Sequence, residues 1–344
     1  METAARMRAV PTEAGNRFAE RALRLRVAGV LAFLLLLAIG FTSASPRFLT
    51  VGNARIIAFN AAILVIAAAA EALVVLTRNL DVSVGSVMGL AGYLAADLIA
   101  RAPGLGFAVI LVPLAIGALL GLLNGVLVAY GRVPSLVATL GTLSIYRGVT
   151  FIYARGQEVT STKLPRWMLR GADAMVAGIP SLVIVAAVVV VILALLLDVR
   201  PRFRQLYAVG SNPQAAHFYG LRTKRVVLLA YVLAGFLAGL AGFLYAARVG
   251  TVTVILARGW EMSALAAVVI GGVSIQGGSG NLVGVALGAV VLATIDNGLV
   301  LLRVPEFWRM FIQGTAIVLA VSVDALIDGR IRRMLELRRA GRRL

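Results

Sequence analysis

Ten runs of apolar side chains, separated by polar turns, dominate this chain. They cover roughly Val27–Phe41, Ile56–Leu76, Val84–Ala100, Phe107–Tyr130, Leu136–Tyr153, Ile179–Leu197, Val226–Ala247, Met262–Ile275, Leu282–Leu302 and Phe311–Ile327. Each is judged by its length against a hydrocarbon core of about 30 Å, which a helix of about 20 residues crosses. With 60% hydrophobic residues over 344 positions, the chain carries more apolar material than one soluble core can bury. The expected fold is all-α, a polytopic transmembrane bundle of about ten spans. Its organisation reads as a polar N-terminal tail (1–26), a membrane domain (27–328) and a basic C-terminal tail (329–344).

Charge orients the bundle. The net charge of +18 is carried largely by arginines that flank apolar runs rather than by a basic face, so they read as orientation signals and no nucleic-acid partner is expected. An even number of spans, with the first run a retained anchor and both termini inside, puts three basic clusters in the cytoplasm. These are the N-terminal arginines, the loop 200–225 and the tail from Arg330 to Arg343. The loop 154–178 then lies outside and is a partial exception, since Arg155, Lys163, Arg166 and Arg170 outweigh Glu158 and Asp173.

The loop 200–225 is the longest basic, acid-free connection, and it encodes a short helix with both ends marked. Asn212 suits an N-cap, and Pro213 suits the first helical position, where a missing N–H costs nothing. Gln214, Ala215, Ala216, His217, Phe218 and Tyr219 continue it, and Gly220, followed by Leu221, can end it in a left-handed conformation. A helix this short does not stand alone in water. It is either an ordinary capped turn held by the membrane body or an element held in a partner's groove.

Glycines recur at four-residue spacing at Gly85 and Gly89, at Gly117, Gly121 and Gly125, at Gly235 and Gly239, and at Gly284 and Gly288, a pattern that lets helix backbones approach in lipid. The third and eighth runs are short and glycine-broken, each preceded by an acid in a polar turn, Asp81 and Glu261. If the chain is two inverted five-span halves, these positions correspond, and matched short helices point towards a central passage; tilted or re-entrant packing elements are the alternative.

Several chemistries are excluded. There is no Cys, hence no thiolate metal site, disulfide or Cys nucleophile, and His217 is the only histidine. No GxxxxGK[ST] phosphate loop, GxSxG elbow or HExxH occurs, so no catalytic or metal-ligating residues are expected and the chain has no ATPase motif of its own. Polar residues within apolar runs are costly in hydrocarbon and so are candidates for a solute path. Those selected, including the turn before the third run, are Asn79, Asp81, Ser83, Asn124, Thr139, Thr142 and Asp296; each can equally be an interhelical hydrogen-bond partner. Amides and hydroxyls outnumber charges in this set, as suits a neutral, hydroxyl-rich solute.

The sequence resembles the permease subunits of ribose-type ABC importers from about Thr50 to Asp328. The resemblance rests on TRNLDVSVGS (77–86), LNGVLVAYGRVPSLVATLGTLSIYRG (123–148), AVGSNPQAAHFYGL (208–221) and EMSALAAVVIGGVSIQGGSG (261–280). TRNLDVSVGS, ATLGTLSIYRG and LVLLRVPEFW are closer to the permeases for rhamnose and autoinducer-2-like sugars than to those for ribose. The resemblance implies a bacterial inner-membrane subunit that imports a monosaccharide delivered by a solute-binding protein. It also implies a second permease subunit, identical or related, and a cytoplasmic ATPase that binds the ATP, so the chain needs no cofactor itself. In that family the short cytoplasmic helix docks in the ATPase, which assigns coupling to Asn212, Pro213, Gln214, Ala215, Ala216, Gly220 and Leu221. The wider superfamily often has an acid where Gln214 stands, so an ion pair from that position is not expected; the Ala215–Ala216 face and Gly220 would make the contact. The competing readings are an ion-gradient-driven carrier of a small polar solute, acting without a partner ATPase, and a structural membrane protein, which would show no substrate-dependent ATPase stimulation.

Overall fold

The computed structural model describes residues 13–312 together with Gly314, Thr315, Val318 and Ser322. Twelve α-helices are named in it: α1 (Glu13–Ala44), α2 (Val51–Val75), α3 (Val84–Arg101), α4 (Leu111–Ala129), α5 (Ser135–Ala154), α6 (Arg166–Asp173), α7 (Ser181–Val199), α8 (Pro201–Ser211), α9 (Pro213–Phe218), α10 (Thr223–Val249), α11 (Trp260–Ile270) and α12 (Leu282–Leu301). A 3₁₀ stretch, Pro103–Ile110, leads into α4, and a two-residue hairpin, Met175–Val176 with Ile179–Pro180, precedes α7.

Among the described residues, seven helical stretches are long and apolar enough to cross a membrane, and Gly29–Ala44 and Trp260–Ile270 are shorter apolar helices. Eight of the ten expected runs fall on helices of similar extent. The eighth run differs. It was expected to form a span over Met262–Ile275, but α11 stops at Ile270 and has 11 residues, about 16 Å at 1.5 Å per residue. Gly271, packed on the backbone of Gly284 and Val285, and Gly272 with φ +82° turn the chain out of the helix. The tenth run lies almost wholly outside the described residues, as do positions 1–12 of the N-terminal tail and the basic tail 329–344.

Local chemistry sets the boundaries. Thr50 Oγ1 accepts from the Asn53 N–H at the start of α2, and Asn281 Oδ1 accepts from the Val283 N–H at the start of α12. Gly250, at φ +74°, ends α10 in the left-handed region. The spaced glycines then bring backbones together. A Cβ on Gly117 would strike the Gly235 carbonyl, and one on Gly121 would strike the Tyr231 carbonyl, so α4 and α10 lie backbone to backbone. Gly92 and Gly242 do the same for α3 and α10. The principal core is built on α2, α3, α7, α10, α11 and α12, with Ile63, Ile66, Leu73, Met88 and Tyr231 fully enclosed.

The two ends of the bundle differ. At one end the turns after α2 and α4 gather with α8, α9 and the loop 271–281: the Gly278 N–H donates to Leu76 O, and the Lys224 ammonium sits 5.6 Å from the Tyr130 ring centroid. At the other, the connection from α5 to α7 meets the segment after α10 in a Val159–Val252 bridge. There Arg248 pairs with Asp173 at 2.8 Å and Arg101 with Asp97 at 2.9 Å.

Candidate functional site

The sequence-selected residues fall into three places. The first is the α8–α9 outcrop. Asn212 is extended and caps α9, its Oδ1 accepting from the Ala215 N–H at 2.9 Å, and Pro213 opens the helix. The helix ends after Phe218, one residue earlier than expected, with Tyr219 as C-cap and Gly220 at φ +81°. The Leu221 N–H closes back on Ala216 O at 3.0 Å, which fixes the exit. Both marked ends therefore have the geometry the sequence encodes.

The expected contact face differs. Ala216 is buried in the bundle's own core and Ala215 is half-buried, so these two small residues seat the helix on its own protein. The outward face carries Gln214, His217, Phe218 and Tyr219, the last two each 88% exposed.

What anchors α9 is α8, which the sequence reading passed over as loop. Pro201, directly after the extended Arg200, is a first-turn proline and was the available signal. Leu206 and Val209 are buried, and Gly210 lies on the Leu76 carbonyl and the Gly278 N–H, where a Cβ would not fit. The Tyr207 hydroxyl donates to Gly280 O at 3.2 Å; burial, with nearby Asp198, pushes its phenol above the usual range. The outcrop is thus tied to the α2–α3 turn and to the loop after α11.

The second place is a polar node that joins the α2–α3 turn to α4, α5 and α10. Asp81 Oδ1 accepts from the Ser83 hydroxyl at 2.6 Å and from the Ser83 N–H at 3.0 Å. Asn124 Nδ2 donates to Ser83 Oγ at 2.7 Å, and Asn124 Oδ1 accepts from the Tyr146 hydroxyl at 3.1 Å. Thr139 Oγ1 accepts from the Val82 N–H, Ser135 Oγ from the Leu80 N–H, and the Tyr231 hydroxyl donates to Leu80 O at 3.0 Å. The Asp81 N–H reaches Glu71 Oε1 on α2. Thr142 Oγ1 turns back to Thr139 O on its own helix.

Asp81, Ser83, Asn124, Thr139 and Thr142 are therefore brought together, yet all are buried and largely spend their hydrogen bonds on one another. Unpaired backbone at membrane depth is costly, and the node supplies partners to the non-helical turn. Asn79, half-buried, bonds Thr77 within the same turn. Ser135, Tyr146 and Tyr231 were missed because a tyrosine or serine in an apolar run carries no local signal of its partners. The third place is remote from these two: Asp296 on α12 pairs with Arg309 at 3.0 Å, and Arg309 also bonds Glu306.

The described residues thus form a membrane-type helical bundle with glycine-sealed helix pairs, a buried polar node and a short helix held outside the membrane body. A family profile described as branched-chain amino acid transport system / permease component matches residues 53–321. The autoinducer 2 import system permease protein LsrC of Escherichia coli O157:H7 is 38% identical over 312 residues, covering 90% of this chain and 89% of that protein. The LsrC of Salmonella typhi is 37% identical over 307 residues, covering 89% and 86%. The chain belongs to this family of ABC-importer permease components, multi-pass proteins of the bacterial inner membrane. No solved structure matches it.

Proposed function

We propose that this chain is the permease subunit through which a monosaccharide or autoinducer-2-like sugar enters the cytoplasm, received from a solute-binding protein and driven by a partner ATPase. The observation that carries the reading is α9, a capped helix seated by Ala216 that presents Phe218 and Tyr219 outward. Charge supports its sidedness. Arg200, Arg202, Arg204, Arg222, Lys224 and Arg225 flank the outcrop, with Arg78 and Arg132 in the neighbouring turns, so this end faces the cytoplasm. At the opposite end some of the cations that weigh against this orientation are offset by carboxylates, as in Arg248–Asp173 and Arg101–Asp97.

The autoinducer-2 permeases among its relatives support a sugar-like cargo; rhamnose- and ribose-type sugars share the same hydroxyl chemistry. Only 28% of the apolar window of α5 is buried within the chain, against 78% for α2, which supports a second permease subunit, a copy or a related chain, beside the open face. Nucleotide-driven motion would enter at Phe218 and Tyr219 and pass through Gly210 to the α2–α3 turn.

The test is affinity purification of the tagged chain from its native membranes in mild detergent, followed by mass spectrometry. Recovery of an ATPase, a second permease and a solute-binding protein supports the reading. Recovery of the intact, folded chain alone contradicts it and favours a gradient-driven carrier.

A further inference from the structure

The segment between α10 and α11 enters the bundle from the Val159–Val252 end as irregular backbone. A Cβ on Gly89 would lie 2.6 Å from Leu256 O, and one on Gly85 would lie 2.9 Å from Ala257 O and would strike the Glu261 carboxylate, so the segment descends along α3. Gly85 is sixteen residues from the Arg101 end of α3, roughly 24 Å at 1.5 Å per residue. The far end of α11 is about 15 Å away from Trp260 by the same rise. Residues 257–261 therefore sit deep within the membrane, remote from both ends of the bundle.

Three charged residues meet at this step. Arg147 on α5 donates from Nη1 to Leu256 O at 2.9 Å, and Glu261 and Arg258 are the charged groups that act on its guanidinium. Glu261 Oε1 accepts from the Gly259 N–H, while its Oε2 is buried and has no hydrogen-bond partner. Arg258 and Gly259 are exposed, as are Ile255 and Met262, with Ala257 at φ +57° and Gly259 at φ +86°.

Two independent physical rules bear on this surface. A guanidinium presented to hydrocarbon is expensive, so intramembrane charges face a protein interior or water. Non-helical backbone at membrane depth is likewise tolerated only where protein covers it or a water-filled cavity bathes it. An exposed Arg258 on exposed irregular backbone violates both if lipid lies there. On the adjoining α5, Gly141 and Gly148 have open space where a side chain would stand and Ser144 is exposed, which leaves room beside the charges.

We propose that Arg147, Arg258 and Glu261 line the aqueous passage of the transporter and contact the hydroxyl groups of the solute within it. Guanidinium groups donate and a carboxylate accepts, so a neutral polyhydroxylated solute meets both halves of its hydrogen-bonding capacity at one step. The solute class rests on the monosaccharide reading above; the aqueous character of the surface does not.

The natural absence of cysteine allows a direct test in the assembled transporter in intact cells. Arg258→Cys and Met262→Cys are each introduced singly, with Leu195→Cys on the outward face of α7 as a lipid-facing control, and treated with a cationic, membrane-impermeant methanethiosulfonate. Expected is modification at 258 and 262 at least about tenfold faster than at 195, slowed several-fold by saturating transported sugar, with sugar uptake falling at least about fivefold after modification. Met262→Cys keeps the test valid if Arg258→Cys fails to reach the membrane. Positions 258 and 262 as unreactive as 195 would overturn the proposal, since lipid or a covering subunit then lies there. Rapid modification with uptake unchanged would overturn it too. Rapid modification at 262 in a transporter whose cysteine-free parent imports no sugar would leave the aqueous surface standing and sink the monosaccharide reading instead.

Discussion

Tyr146 and Arg147 are neighbours on α5 and meet opposite fates. Tyr146 points into the buried node, where its hydroxyl bonds Asn124 Oδ1 and Leu120 O. Arg147, half-buried, turns towards Leu256 O beside the exposed Arg258. Both are polar groups in a membrane helix, and the difference between them is exposure. The node is enclosed: its hydroxyls and amides bond one another and the turn, with Glu71 Oε2 left without a partner, so the group behaves as a knot that fixes the re-entrant turn 77–83. At the charged step Glu261 Oε2 likewise has no hydrogen-bond partner, but the neighbouring Arg258 is exposed, so the group is open to something that comes and goes. Polarity in an apolar span therefore signals either a joint or a passage, and exposure separates them.

The comparison breaks first if the node can be dismantled without harm. Asn124→Leu removes the two hydrogen bonds that link Ser83 to Tyr146, each worth about 0.5–1.5 kcal/mol net, and sets an apolar side chain beside the buried Asp81 carboxylate. The expected outcome is loss of most folded protein from the membrane, read by detergent-extracted, monodisperse yield, with the surviving fraction keeping its substrate preference. A changed preference at full yield would make the node part of the passage. Gly117→Leu, which drives a side chain into the Gly235 carbonyl, should be as damaging by the same readout, because α4 and α10 cannot separate cheaply.

Smaller and more specific losses are expected elsewhere. The double substitution Phe218→Ser and Tyr219→Ser removes two exposed rings from α9 without touching its core contacts. Folded yield should hold within about 20% of the parent, as surface changes usually cost within 0.5 kcal/mol. ATPase co-purification should drop at least tenfold, an outcome measured by quantitative pull-down. By contrast, Ala216→Arg buries a charge in the bundle core and should lower yield before it lowers coupling, so it reports on stability rather than on docking. The smallest effect is expected at Asp296, which pairs with Arg309: Asp296→Asn should change uptake less than twofold, since a partly exposed ion pair is worth about 0–1 kcal/mol.

Much of this architecture is written locally and was therefore readable. Apolar run length gives the helices, Asn212–Pro213 and Gly220 give the ends of α9, and the four-residue glycine spacing gives the tight α4–α10 contact. Asp81, Ser83 and Asn124 were also selected, as candidates for a solute path or for interhelical hydrogen bonds, because each interrupts or borders an apolar run. The partners that complete the node, Tyr146 on Asn124 and Tyr231, Ser135 and Thr139 on the backbone of Leu80 and Val82, were not readable, since they depend on helices 22 to 151 residues apart in sequence meeting at a given rotation. The direction of Ala216 was hidden for the same reason: a small residue suits a partner's groove and its own protein's core equally well. Arg258 escaped notice because arginines at the ends of apolar runs ordinarily serve as orientation signals, and only the re-entrant path of residues 250–259 moves it into the membrane. Arg147 lies within the run Leu136–Tyr153 itself and was visible there, but its partner Leu256 O was not.

The most direct measurement on coupling uses the chain's lack of cysteine once more. Tyr219→Cys, the sole thiol in the permease, is treated in the purified complex with a short bifunctional cross-linker against single cysteines placed around the ATPase surface groove. Expected is a cross-link to the ATPase at 219 whose efficiency changes at least threefold between nucleotide-free and ATP-bound states. An intact, active complex that yields no ATPase cross-link from 219, while a thiol elsewhere on the same face does, would contradict the role assigned to α9.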